Sequence, residues 1–173
     1  SGWNIANFRY DLLKKIMKKT NNLIISCPPD NYIKKIINNK IKYLPINYKR
    51  NSYGFLENFK IILFYYKNFI KENPSIILLY TIKPNIFAFI LNLFITKQIK
   101  VFNFITGIGN LYFESYIKKK IIIILYIIAF LKSNKVIFQN TNDLNFFVSN
   151  RIISQKKCLI IPGSGVDINF FKF

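Results

Sequence analysis

Apolar residues recur along this chain with a period that switches repeatedly between that of a helix and that of a strand. Ile5, Phe8, Leu12, Leu13 and Ile16 fall at helical spacing, with Lys14, Lys15, Lys18 and Lys19 on the other side, which predicts an amphipathic helix over roughly 5–19. A short apolar strand over 23–26 follows, stopped by Cys27-Pro28-Pro29-Asp30; then come a helix over 32–39 and a strand over 41–44 closed by Pro45. After a polar stretch through Gly54, helical periodicity over 56–72 exits at Pro74. Strands at 76–80, 101–105, 136–139 and 159–161 then alternate with helices over 84–96, 117–132 and 142–150. Pro84 suits the first turn of its helix, where its missing N–H has no partner to lose.

Strands alternating with helices are the signature of βαβ units around a parallel sheet, so the expected class is α/β: a Rossmann-like parallel sheet with helices on both faces. In a doubly wound sheet the first strand lies near the centre. Here Ser1-Gly2-Trp3 leads almost directly into a helix, so the expected domain lacks its first strand. Leu159-Ile160-Ile161 reads as a strand buried on both faces. Proline and two glycines then break it at Pro162-Gly163-Ser164-Gly165. The expected organisation is a domain over 1–161 and the start of a crossover over 162–173.

Composition narrows the chemistry. The 173 residues are 51% hydrophobic, enough for a real core. The formal charge of +19 points to a polyanion or an anionic membrane. Lysine, isoleucine, asparagine, phenylalanine and tyrosine also share A/T-rich codons, while arginine occurs only as Arg9, Arg50 and Arg151, so codon drift is an equal source of basicity. No histidine is present and Cys27 and Cys158 stand far apart, which argues against a metal site, a disulfide framework and any Ser-His or Cys-His nucleophile. The acids form no spaced pair for two-carboxylate hydrolysis. The longest apolar run, 121–131, falls short of the roughly 20 residues that span a bilayer. It reads, like 86–95, as a helix packed inside a protein.

Candidate site residues fall where strands end and helices begin, the ligand-binding edge of open α/β sheets. Gly2 precedes a helix whose first N–H groups suit a diphosphate. Thr106-Gly107-Ile108-Gly109 has the glycines of a close-approach loop. Lys83 is a candidate phosphate contact, Asn85 a partner for a sugar hydroxyl or a helix cap, and Arg9 a cation in an arginine-poor chain.

Trp3-Asn4-Ile5-Ala6-Asn7-Phe8-Arg9, Tyr80-Thr81-Ile82-Lys83-Pro84-Asn85, Asn103-Phe104-Ile105-Thr106-Gly107-Ile108-Gly109, Phe138-Gln139-Asn140 and Pro162-Gly163-Ser164-Gly165-Val166-Asp167 follow one another in this order. The chain thereby resembles, over nearly its whole length, the N-terminal acceptor-side domain of family 4 glycosyltransferases of the GT-B fold. That resemblance implies a retaining, metal-independent hexosyltransferase without a cofactor. Its nucleotide-diphosphate sugar donor would be held partly by an absent C-terminal domain, and its acceptor would be a polyprenyl-diphosphate-linked glycan. It implies Gly2, Arg9 and Lys83 at the donor diphosphate, Asn7, Thr81, Asn85, Thr106, Gly107, Gly109 and Asn140 at the acceptor, and Pro162, Gly163, Gly165 and Asp167 at the hinge. Many relatives carry a histidine just before the Pro-Asn pair; Ile82-Lys83 stand here, so no catalytic residue carries over.

On this reading the 173-residue chain alone turns over no substrate. Its place would be the cytoplasmic face of the cell membrane, held to anionic lipid by Lys14, Lys15, Lys18 and Lys19 and by Lys118, Lys119 and Lys120, with no nucleic acid as partner. The rival readings are a nucleotide-sugar 2-epimerase of the same layout, disfavoured by the missing histidines, and a basic nucleic-acid or membrane-binding module.

Overall fold

The computed structural model describes residues 1–20, 22–37, 40–47, 54–87, 99–109 and 114–165. The protein is α/β, with parallel sheets flanked by helices as in Rossmann-like folds. The chain divides into two compact units, 1–61 with 164–173 and 62–163. Among the described residues the strands form a two-stranded and a four-stranded sheet.

The first unit contains α1 (Gly2–Phe8), α2 (Tyr10–Met17), β1 (Leu23–Cys27), α3 (Ile33–Ile36) and β2 (Ile41–Pro45). β1 and β2 are parallel, in register from Leu23 opposite Ile41 to Cys27 opposite Pro45. Ile25, Cys27, Ile33, Ile36 and Ile41 form a core against which Ile5, Ala6, Leu13 and Met17 pack. The single helix expected over 5–19 is thus two. Arg9 leaves helical geometry at φ −132° and ψ 0°, although its N–H still donates to Ile5 O at 3.0 Å. The bend directs apolar residues from both halves into one core, and the apolar period runs through it unchanged. α3 is shorter than expected because Ile37 is already extended.

α4 (Phe55–Glu72) crosses the division between the units. The second unit continues with β3 (Ile76–Tyr80), helical residues 82–87 (α5), β4 (Lys100–Ile105), α6 (Tyr116–Phe130), β5 (Lys135–Phe138), α7 (Thr141–Ser149), a 3-10 turn over Gln155–Lys157 and β6 (Cys158–Ile160). The remainder of the helix expected over 84–96 lies outside the described residues. All four strands run parallel in the order β3-β4-β5-β6. Along β4, Val101, Asn103 and Ile105 are buried, the period of two that puts alternate side chains on one face. Phe138 and Phe147 are wholly buried and meet edge to face at 5.4 Å.

Two expectations about burial are corrected. Leu159, Ile160 and Ile161 are 44–45% exposed, because β6 lies at the edge of its sheet and, among the described residues, pairs only with β5. α6 is packed on one side only: Tyr126, Ala129 and Phe130 are buried, while Ile117 and Ile124 are exposed.

Candidate functional site

Because the strands are parallel, the turns after β3, β4, β5 and β6 line one edge of the four-stranded sheet. The register fixes this, with Tyr80 opposite Phe104, Ile105 opposite Phe138 and Phe138 opposite Ile160. The edge brings together Thr81, Lys83, Asn85, Thr106, Gly107, Gly109, Asn140, Pro162 and Gly163 from the candidate set.

Thr81 follows β3 at φ 71°, in the left-handed region. A β-branched side chain is an outlier there, and such backbone strain costs about 1–3 kcal/mol and concentrates at ligand-binding positions. The surroundings hold it in place. Asn85 N–H donates to Thr81 O at 3.2 Å, and the Tyr80 ring stacks on Phe104 at 4.3 Å between centroids. Across the edge, Gly107 and Gly109 take φ 139° and 60° while Ile108 between them is buried. A Cβ at Gly107 would meet nothing within 4 Å, so the glycine there answers to backbone conformation and leaves open space in front of the loop. Thr81, Thr106 and Gly109 are exposed, and Lys83, two residues after Thr81, is half-buried.

Asn85 faces inward. It is 1% exposed, its Nδ2 donates to Phe104 O at 3.0 Å and its Oδ1 accepts from Asn103 Nδ2 at 2.9 Å. Ser133 Oγ donates to Asn103 Oδ1 at 2.6 Å, completing a buried chain of three polar side chains. The role expected for Asn85 on a sugar hydroxyl therefore gives way to bracing the two turns. Asn140 caps α7: its Oδ1 accepts from Asp143 N–H at 2.7 Å and its Nδ2 donates to Asp143 Oδ2 at 2.9 Å. The first bond satisfies a free N–H at the start of α7, and together the two engage the amide drawn for the acceptor.

Gly2, Asn7 and Arg9 belong to the first unit. Gly2 is buried, and a Cβ on it would run into the Asp30 carboxylate and come within 2.7 Å of Ile33. The N-terminal amides of α1 are already engaged, Trp3 N–H by Asp30 Oδ2 at 3.0 Å and Asn4 N–H by Ser1 Oγ at 3.4 Å. Glycine at position 2 thus serves close packing, a correction to the diphosphate role. Arg9 is 9% exposed at the bend between α1 and α2. Asn7 lies with Ala6, Tyr10, Tyr32, Lys35 and Ile36 around an open cleft of about 240 Å³, and its Nδ2 donates to Trp3 O at 2.7 Å. Gly163 and Gly165 both take φ 72° and are exposed with Pro162, and the division between the units falls just after Gly163. Asp167 lies outside the described residues.

Thiol chemistry at neutral pH is closed to Cys27. Burial pushes its thiol up from 9.0 to about 11; the chain's terminal amine opposes this and Asp30 adds to it. At pH 8 the thiolate fraction falls about a hundredfold relative to a thiol at its ordinary value, and alkylation by iodoacetamide is expected to slow by about as much. The raised value favours the neutral thiol in the fold, so its stabilising contribution is full below pH 9.0 and is lost as pH rises through about 11. Mass-spectrometric alkylation rates, native against urea-unfolded, check this, and equal rates would contradict it.

Among the described residues no group of three His, Cys, Asp or Glu side chains gathers to hold a metal, and no helix is long and apolar enough to cross a membrane. No protein-family model matches the chain, and no curated protein matches it.

Proposed function

We propose that this chain is the acceptor-side half of a retaining, metal-independent GT-B glycosyltransferase of family 4. It would transfer a hexose from a nucleotide-diphosphate sugar to a polyprenyl-diphosphate-linked glycan, at the inner face of a membrane. The carrying observation is a coincidence of two independent patterns. The segments that resemble this family at Tyr80–Asn85, Asn103–Gly109, Phe138–Asn140 and from Pro162 onward begin at, run across or begin just after the carboxyl ends of β3, β4, β5 and β6. Support also comes from the strained Thr81 and the two positive-φ glycines, which expose backbone and two hydroxyl side chains along that edge. In this reading Thr81, Thr106, Gly107 and Gly109 bind acceptor hydroxyls, and Lys83 stands toward the diphosphate. The developing charge on the leaving diphosphate is stabilised by cationic side chains and by helix N-termini of the donor half.

The test uses the 173-residue chain with a polyprenyl-diphosphate-linked monosaccharide in detergent micelles. NMR shifts are expected to cluster at Thr81 and 106–109, to be lost in Gly107→Val and to be weakened in Lys83→Ala. Multiple turnover with a nucleotide-sugar donor would overturn the two-half reading. Shifts spread over all lysine-bearing surfaces, and reproduced by heparin, would overturn the acceptor site in favour of a general polyanion binder.

A further inference from the structure

A helix that is apolar all round belongs inside a protein. α6 breaks that rule. Its sequence YIKKKIIIILYIIAF has no acid, and Ile117, Ile121, Ile124 and Leu131 are 72, 52, 54 and 66% exposed. With the half-buried Ile128 these residues follow a 4-3-4-3 spacing, which places them in one stripe along the helix. Tyr116, 70% exposed, stands at its N-terminal end, and the exposed Lys118 and Lys120 flank it there, while Lys119 lies on the packed side over the Phe146 ring.

The same spacing suits a coiled-coil seam, and the flanking charges exclude a second copy as its occupant. Positions beside the stripe are Lys118, Lys120, Leu125, Ile127 and Lys132, so a homodimeric seam sets lysine toward lysine with no acid to answer it. The chain's formal charge of +19 adds repulsion. Lysines in the first turn also oppose the helix dipole, and Glu114 pairs with Lys118 at 3.6 Å. An apolar stripe flanked by cations and an aromatic ring complements an anionic bilayer, whose hydrocarbon accepts the isoleucines and whose phosphates accept the ammonium groups.

We infer that α6 docks the protein on anionic membranes by lying in the interface, with the Ile117–Leu131 stripe inserted and Lys118 and Lys120 among the headgroups. At fifteen residues, α6 is about 22 Å long, enough to lie along the surface. The inference deepens the functional reading, on which only its purpose rests, namely reaching a lipid-linked acceptor. Its test contains no sugar, so either idea can fail without the other.

The test is sedimentation of the 173-residue chain with phosphatidylcholine vesicles, with and without phosphatidylglycerol, at low and high salt. Wild type is expected to bind the anionic vesicles. Changing Lys118 and Lys120 to glutamine is expected to weaken this about thirtyfold at low salt. Ile121→Ser with Ile124→Ser is expected to weaken it about tenfold or more at either salt, since insertion is not screened. The isoleucine positions are exposed, and circular dichroism confirms that the fold is kept. Binding by the serine variant equal to wild type overturns the inference. So does a loss just as large in Lys34→Gln, Lys35→Gln, which would mark general basicity. A dimer abolished by the serine changes, without vesicle binding, overturns it in favour of self-association.

Discussion

Replacing Phe147 with alanine is expected to lower the stability of the four-stranded unit by about 3–5 kcal/mol. The ring is 0% exposed and stands at the centre of an aromatic cluster, 5.1 Å from Tyr126, 5.4 Å from Phe138, 5.8 Å from Phe146 and 6.0 Å from Phe130. Three of these neighbours lie at its edge or face in the T-shaped arrangement that adds to simple area burial. The cavity left behind is bounded by β5 and α6 as well as α7, so no single side chain can swing in to fill it. Against a typical net stability of about 5–15 kcal/mol, the loss is large enough to populate the unfolded unit. Phe146→Ala, at a half-buried position whose ring also carries the Lys119 ammonium at 5.4 Å, is the matched control with a smaller effect. Urea titration followed by near-ultraviolet circular dichroism measures both. A cost below about 1 kcal/mol at Phe147 would mean that the cluster is not the centre of the core.

What sequence reasoning could reach follows from what is local. β3 ends where proline, serine and threonine punctuate an unbroken apolar run, so its bounds were readable to the residue. Gly107 and Gly109 were readable because positive φ selects glycine. Thr81 was not, since nothing about a threonine announces φ 71°. Gly2 was conspicuous for another reason than the one it suggested: the demand comes from Asp30 and Ile33, far along the chain. Position within a sheet is equally non-local. Leu159-Ile160-Ile161 has the composition of a central strand, and only the pairing order makes it an edge. The exposed side of α6 has the composition of a buried one, and only the packing of the other side reveals it.

The polar chain through β4 carries the second large expected effect. Asn103 interrupts the buried face of Val-Phe-Asn-Phe-Ile, which on burial alone is a poor choice of residue. Its partners explain it: Asn85, 18 positions earlier, and Ser133, 30 positions later, are both buried and both bonded to its amide. Asn103→Leu removes one acceptor and one donor at once. It leaves Asn85 Oδ1 without its partner and Ser133 Oγ with only Ala129 O at 3.4 Å, so the expected cost is about 2–4 kcal/mol. Asn85→Leu additionally releases Phe104 O, the tie between the β3 turn and β4. The double variant Asn85→Leu, Asn103→Leu removes both ends of one hydrogen bond, and its cost is expected to fall short of the sum of the two single costs by about 1–2 kcal/mol. Function separates from stability in the same series. The double variant recovers packing but loses the tie that holds Thr81 beside 106–109. Amide exchange at those turns is therefore expected to be faster in the double variant than its loss of global stability accounts for. Exchange at those turns that rose only as far as the global stability fell would show that the strained turn at Thr81 is held without the asparagine pair, which would then serve only the core.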